Sequence, residues 1–307
     1  MKIVFAGTPA TAVPTLEALI ASRHEVVAVI TRPDARVGRG RTLQPSPVAV
    51  AAESHGITVL KPGSTSDPQF LQTLADTGAR LGVIVAFGAI LRRDVLDALE
   101  FGWINLHYSV LPAWRGAAPV QRSIMAGDEI TGATVFSLVE ALDAGPVLGT
   151  ITERIKDEDT AGVLLDRLSD QGAVLVADVV DHIEDGDIGA ITQSEDAVSY
   201  AEKLTVEDGR IDWSRPAFAI DRQIRGCTPA PGAWTQLGDL RLKVSPVRVT
   251  DESTLTPGAV AIAQREVRVG TGTTDVVLGQ VQPPAKKLMD AADWGRGLGG
   301  KTEVVFA

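Results

Sequence analysis

Ile3-Val4-Phe5-Ala6-Gly7-Thr8-Pro9, followed by Thr11–Ser22 and then Val26-Val27-Ala28-Val29-Ile30, is the stretch that decides the fold. The first and last runs are short, β-branched and apolar at consecutive positions. Strands of a parallel sheet buried on both faces read this way. Between them Val13, Leu16, Leu19 and Ile20 fall on one helical stripe, and Pro14 is tolerated because it lies in the first turn. The pattern then repeats. Leu81–Ala86, Trp103–His107 and Thr134–Leu138 read as further strands, and Pro47–Ser54, Asp67–Asp76, Arg92–Leu99, Ala118–Ala126 and Ala161–Ile183 as helices. A strand–helix series of this kind predicts a doubly wound, Rossmann-like α/β domain over residues 1–188.

The texture changes after Gly186. Residues 189–205 are polar and aperiodic and are expected to be a linker. From residue 206 to 307 short runs recur at Trp234–Leu237, Leu240–Val249, Gly258–Ala263, Glu266–Gly270 and Val276–Val281, punctuated by Gly, Pro and Asp. This spacing predicts a small all-β barrel or sandwich as a second domain.

Composition bounds the function. With 45% hydrophobic and 22% charged residues among 307, the chain can bury a full core, which excludes disorder. Its one cysteine, Cys227, permits no internal disulfide. The longest apolar run, Leu81–Leu91, is too short to span a bilayer, and Ile3–Ala6 is too short for a signal-peptide core, so a cytoplasmic protein without membrane association is expected. The net charge of −10 argues against broad nucleic-acid binding. The charge is uneven, however: residues 1–204 carry 16 Lys/Arg and 27 Asp/Glu, residues 205–307 carry 13 and 12, and Arg32–Arg41 holds four arginines against one aspartate. A polyanion would be met at such local places.

Chemistry concentrates in Trp103-Ile104-Asn105-Leu106-His107-Tyr108-Ser109-Val110-Leu111-Pro112. Asn105 and His107 are two apart on a predicted strand, so both side chains leave the same face. They sit at its carboxyl end, where open α/β sheets place ligands. A carboxamide and an imidazole there supply a hydrogen-bond donor and a proton-transfer group, although such a pair also serves simply to close a strand. Asp143, in Ala141-Leu142-Asp143-Ala144-Gly145-Pro146, is positioned to orient His107 or a water and to raise the imidazole's pKa, but is also an ordinary turn residue. The turn Ala6-Gly7-Thr8-Pro9 lacks the Gly-x-Gly-x-x-Gly pattern of dinucleotide sites. His24, His55 and His182 are expected to be structural or solvated. No His/Cys/Asp spacing suits a metal, so none is expected.

Asn105–Pro112, followed by Trp114-Arg115-Gly116-Ala117-Ala118-Pro119, resembles the folate-dependent formyltransferases. The resemblance extends over Phe5–Pro9, Gly38-Arg39-Gly40-Arg41, Pro45–Val48, Ala86–Leu91, Tyr200–Leu204 and Ile211–Trp213, nearly the whole chain. It implies transfer of a formyl group from 10-formyltetrahydrofolate to the α-amine of methionyl initiator tRNA, with Asn105, His107 and Asp143 catalytic. It further implies that Asn105 and a protonated His107 donate to the oxyanion of the tetrahedral intermediate. Folate is expected against Phe87, Gly88, Ile90, Leu91, Ser109, Val110, Leu111 and Pro112, tRNA against Arg39 and Arg41, and the C-terminal barrel is expected to be OB-like and to hold tRNA. A monomer that binds neither DNA nor metal is expected. Two positions depart from the family pattern: Pro146 replaces a second aspartate, and Tyr108 stands where a small residue is usual, its ring expected on the face opposite His107. The rival readings are a formyltransferase acting on a small amine such as glycinamide ribonucleotide or an amino sugar, a hydrolase of formyl-folate, and a binding module without catalysis.

Overall fold

The computed structural model describes residues 1–37, 42–263, 265–298 and 304–307. The chain falls into two compact units. The first comprises Met1–Gly116, Ile130–Arg154 and Leu165–Tyr200; the second comprises Ala117–Glu129, Ile155–Leu164 and Ala201–Ala307.

The first unit is built on a seven-stranded sheet. Its strands are β1 (Lys2–Gly7), β2 (Glu25–Ile30), β3 (Val59–Leu60), β4 (Leu81–Val85), β5 (Trp103–His107), β6 (Ile130–Ser137) and β7 (Val147–Arg154). They lie in the order β7-β6-β5-β4-β1-β2-β3. β5, β4, β1, β2 and β3 are parallel, and β6 and β7 add an antiparallel edge. The chain winds outward from β1 in one direction through β2 and β3, then returns to β4 on the other side, the doubly wound topology.

Alternation along the strands divides the side chains between two apolar layers. Val4, Ala6, Ala28, Ile30, Ile84 and Trp103 form one core with Phe70, Leu74, Val95 and Leu96, contributed by helices Pro68–Asp76 and Arg93–Leu96. On the opposite face Leu106 packs so closely on Gly172 of the long helix Ala161–Asp185 that a Cβ there would meet Leu106 at 2.7 Å. Gly82 serves the first layer in the same way, leaving room for the Trp103 ring.

Sequence reading misses two strands of this sheet. β3 is only two residues long, and β7 alternates half-buried with exposed positions as an edge strand does, so its apolar signal is diluted. β6 begins four residues before the expected Thr134 and runs antiparallel to β5.

The second unit contains a four-stranded sheet (Ala233–Leu237, Leu240–Val244, Gln280–Gln282, Met289–Asp290) and a five-stranded sheet (Val247–Val249, Val276–Leu278, Val267–Val269, Ala259–Ile262, Val304–Val305). All their pairings are antiparallel. The chain passes between the sheets at Ser245-Pro246 and at Gly279, so they share a corner and close on a common core that includes Leu242, Val244, Val267, Val269, Val276 and Val281. The all-β expectation is corrected by two helices: Ala291–Gly297 adds Ala291 and Trp294 to this core. Helix Ala217–Gly226 also belongs to this core, through Ala217, Ile220 and Ile224, and it packs on helix Pro119–Ala126.

Candidate active site

Asn105 and His107 leave the same face of β5, opposite Ile84 of β4 and Thr134 of β6 respectively. The strand's end is held from three sides. Thr134 donates its hydroxyl to the Ser109 carbonyl at 2.7 Å and accepts from the Leu111 N–H at 3.2 Å. Ser109 itself is fully buried and donates to the Ala113 carbonyl at 2.6 Å. Tyr108, alternating with His107, turns to the opposite face as expected; its phenol donates to the Thr11 carbonyl at 3.0 Å and accepts from Ser169 at 3.2 Å. Burial pushes that phenol's pKa up to about 12, so it remains a neutral tether.

The imidazole of His107 is nearly buried, 6% exposed, with Phe136 edge-on to it. Its Nε2 lies 2.9 Å from the Trp114 carbonyl oxygen. A carbonyl only accepts, so Nε2 carries the proton and, in the neutral ring, Nδ1 is bare. Nδ1 faces Asp143 Oδ2 at 3.8 Å, too long for a direct hydrogen bond. Burial lowers the His107 pKa, and this outweighs the opposing pull of Asp143 and the Trp114 carbonyl. Asp143 does pull the pKa upward, as expected, but desolvation of the ring exceeds the attraction of a carboxylate that does not touch it, so the net shift is a fall. The ring is neutral at neutral pH.

Asp143 follows β6 in the chain. That strand is antiparallel to β5, and the connection from β6 to β7 folds back to bring the carboxylate to the imidazole. Gly145 permits this return, because a Cβ there would sit 1.7 Å from the Ser137 carbonyl oxygen. Asp143 itself is held at φ 47°, in the left-handed region, where aspartate is among the better-tolerated residues. Its Oδ2 accepts from the Gly116 N–H at 2.8 Å. Trp114 also has left-handed φ, 60°. Its N–H donates to Ser199 Oγ at 2.9 Å, and the neighbouring Arg115 N–H donates to the Ser199 carbonyl at 2.9 Å.

The carboxamide of Asn105 is half-buried and has no hydrogen-bond partner among the described residues. The site therefore presents an unengaged carboxamide beside a neutral imidazole whose Nδ1 is bare.

The expected folate-side residues divide. Ile90 is 87% exposed, and the Gly88 carbonyl, on a left-handed turn, accepts from Arg32 at 2.7 Å. Leu91, Val110 and Pro112 are half-buried. Phe87, Ser109 and Leu111 are buried; Phe87 joins the apolar core, and its carbonyl accepts from Thr8. Arg39 and Arg41 lie outside the described residues. His24 is buried against Asp181 and Glu184, His55 pairs with Glu17, and His182 bonds the Asp178 carbonyl. Gln193 and Ser199, both within the expected linker, touch the site through hydrogen bonds. Polar residues in an aperiodic stretch give no sequence signal for this.

The formyl transferase family profile matches residues 1–180, and that of the formyl transferase C-terminal domain matches residues 203–299. The chain belongs to the formyl transferase family. Within this family it is 57% identical over 304 residues to the methionyl-tRNA formyltransferase of Mycobacteroides abscessus, covering 99% of each chain. It is 56% identical over 299 residues to that of Streptomyces coelicolor, covering 97% of this chain and 96% of the relative. Among solved structures, the N-formyltransferase of Helicobacter canadensis in complex with folinic acid and dTDP-3-aminofucose superposes with a TM-score of 0.70 at 18% identity, over 92% of this chain and 100% of that one. The glycinamide ribonucleotide transformylase 1 of Symbiobacterium toebii superposes at 0.52 and 17% identity, over 63% of this chain and 94% of that one. These structural likenesses carry the formyl transferase fold.

Proposed function

We propose that this formyl transferase moves the formyl group of 10-formyltetrahydrofolate to the α-amine of methionyl initiator tRNA. The observation that carries this reading is identity above 50%, over nearly the full length, to relatives named methionyl-tRNA formyltransferase. The site's chemistry supports it. Attack of an amine on a formamide-like carbon gathers charge on oxygen and strips a proton from nitrogen. Asn105 offers the unengaged amide donor for the oxyanion. His107 Nδ1 takes the proton from the attacking nitrogen, and Asp143 stabilises the imidazolium so formed. The new C–N bond forms, the bond to the folate nitrogen breaks, and the same proton passes from Nδ1 to that leaving nitrogen. His107 thus begins and ends neutral, its Nε2–H remaining on the Trp114 carbonyl. No covalent enzyme intermediate is required.

The second unit supplies features that suit a polyanionic acceptor. On the outer face of its first hairpin, the Arg241 guanidinium lies 3.9 Å above the Trp234 ring and that of Arg210 lies 5.8 Å from it. Lys243 stands across the strand pair from Trp234. None of these three cations makes an ion pair among the described residues, so their charge is available to phosphates. The test is a formyl-transfer assay comparing charged initiator tRNA, uncharged tRNA and small amines as acceptors. Transfer confined to charged tRNA is expected. Faster transfer to an amino sugar or glycinamide ribonucleotide would move the assignment to the small-amine class.

A further inference from the structure

Gln193 makes four hydrogen bonds, all to the two segments that carry the site. Its Oε1 accepts from Arg115 Nε at 3.1 Å and Nη2 at 2.6 Å. Its Nε2 donates to the carbonyl of Asp143 at 2.9 Å and to that of Gly145 at 2.8 Å. The two segments are otherwise joined near the site by the bond from the Gly116 N–H to Asp143 Oδ2. One side chain thus reads donors from one segment and acceptors from the other, and only a carboxamide of this length offers both.

The geometry it fixes is unusual on both sides. Asp143 and Trp114 have left-handed backbones, a conformation aspartate tolerates better than most residues but one that costs a bulky tryptophan and is held by surrounding contacts. The Trp114 carbonyl is the group that sets the His107 tautomer, and the Asp143 carboxylate is the group that faces Nδ1. Both therefore depend on the relation between the strap 114–116 and the turn 143–145.

We infer that Gln193 is a positioning residue for formyl transfer: it locks the Asp143 turn to Arg115-Gly116, so that the carboxylate stands beside His107 Nδ1 instead of swinging into solvent. This inference rests on the function proposed above. It also gives the stretch between the two family domains a part in the chemistry, because Gln193 lies between residues 180 and 203, outside both family profiles.

The test uses the full chain with two substitutions. Gln193→Met keeps the length and removes all four hydrogen bonds. Gln193→Glu retains acceptors for Arg115 but presents oxygen to the carbonyls of Asp143 and Gly145. Both are measured by single-turnover formyl transfer at saturating co-substrates, alongside KM for each substrate and circular dichroism to establish the folded fraction. Each substitution is expected to lower kcat by roughly 10- to 100-fold, the cost of a small misplacement of catalytic groups, with KM for the folate little changed. In Gln193→Met the acid limb of the pH–rate profile should also move to lower pH, because His107 loses the nearby carboxylate that favours its charged form. A purely structural role would change the folded fraction without moving that limb. Near-normal kcat in folded Gln193→Glu would overturn the inference, because it would show that the Arg115 contacts suffice. Should Gln193→Met not fold, Gln193→Glu alone decides. His107→Ala in the same assay separates the two levels: if it stays active, the proposed function's chemistry fails; if it is inactive while both Gln193 variants match wild type, only the positioning role fails.

Discussion

Asp143→Asn removes one charge from the site and little else, since the side-chain amide oxygen can still accept the Gly116 N–H. The loss can be worked from the geometry. When His107 takes up the substrate's proton, its Nδ1 and Asp143 Oδ2 become opposite unit charges 3.8 Å apart. Their attraction is about 1 kcal/mol in bulk water and about 4 kcal/mol at the effective dielectric of ~20 found in partly buried sites. The side chains are 6% and 13% exposed, so the second figure is the nearer one. At 1.36 kcal/mol per tenfold change in rate, Asp143→Asn should slow single-turnover transfer by about 100- to 1000-fold. The pH dependence has a definite sign. In the proposed mechanism the neutral ring is the base; its pKa already lies below 6.5, and removing the carboxylate lowers it further. The acid limb therefore moves to lower pH while the plateau drops. A loss under about 5-fold, the bulk-water figure, would show that no imidazolium forms beside Asp143 and would refute the proton-transfer role.

Four other outcomes are expected. Asn105→Ala should reduce kcat by about 100- to 1000-fold with little effect on folate KM, the signature of a donor used in the transition state and read by steady-state kinetics. Arg39→Ala combined with Arg41→Ala should raise KM for charged tRNA far more than KM for folate; an unchanged response to tRNA concentration would return that segment to a solvated basic stretch. Tyr108→Phe should cost about 1–3 kcal/mol in urea unfolding, because it strips the Thr11 carbonyl of its buried donor, while Ser169 keeps the Leu165 carbonyl as partner. Stability should fall as pH drops below about 6.5, since the unfolded chain's imidazole binds a proton before that of folded His107 does; His107→Gln should flatten that part of a pH series of unfolding curves.

Most of the first unit is legible because its strands are buried on both faces. β5 and helix Pro47–Ser54 begin and end where the sequence pattern places them. The pairing of Asn105 with His107 follows from alternation alone, and so does the turning away of Tyr108. Three things are not legible, each for a physical reason. Edge strand β7 is half solvated and loses its periodic signal. The direction in which Asp143 returns to His107 is set by a loop, whose path no periodicity encodes. Helix Ala217–Gly226 hides behind Arg222, Arg225 and exposed Phe218, so that its apolar stripe of Ala217, Ile220 and Ile224 reads as isolated residues among charges.

The balance at His107 decides which residue does what. A charged imidazole would be both donor and acid, and Asn105 would be a helper. Burial prevents this: the ring is desolvated, the carboxylate stands off at 3.8 Å instead of bonding it, and the one proton present is committed to the Trp114 carbonyl. Under the proposed function, stabilisation of the developing oxyanion then falls to the Asn105 amide, which has no hydrogen-bond partner among the described residues, and His107 is kept for the proton. An arrangement that pulled Asp143 into direct contact would favour the imidazolium, raise the ring's pKa and deprive the attacking amine of its acceptor at neutral pH. The stand-off distance is therefore part of the chemistry, and the contacts that set it, the left-handed Asp143, the Gly116 N–H and the Gln193 bridge, are where substitutions remote from the substrate should be felt most.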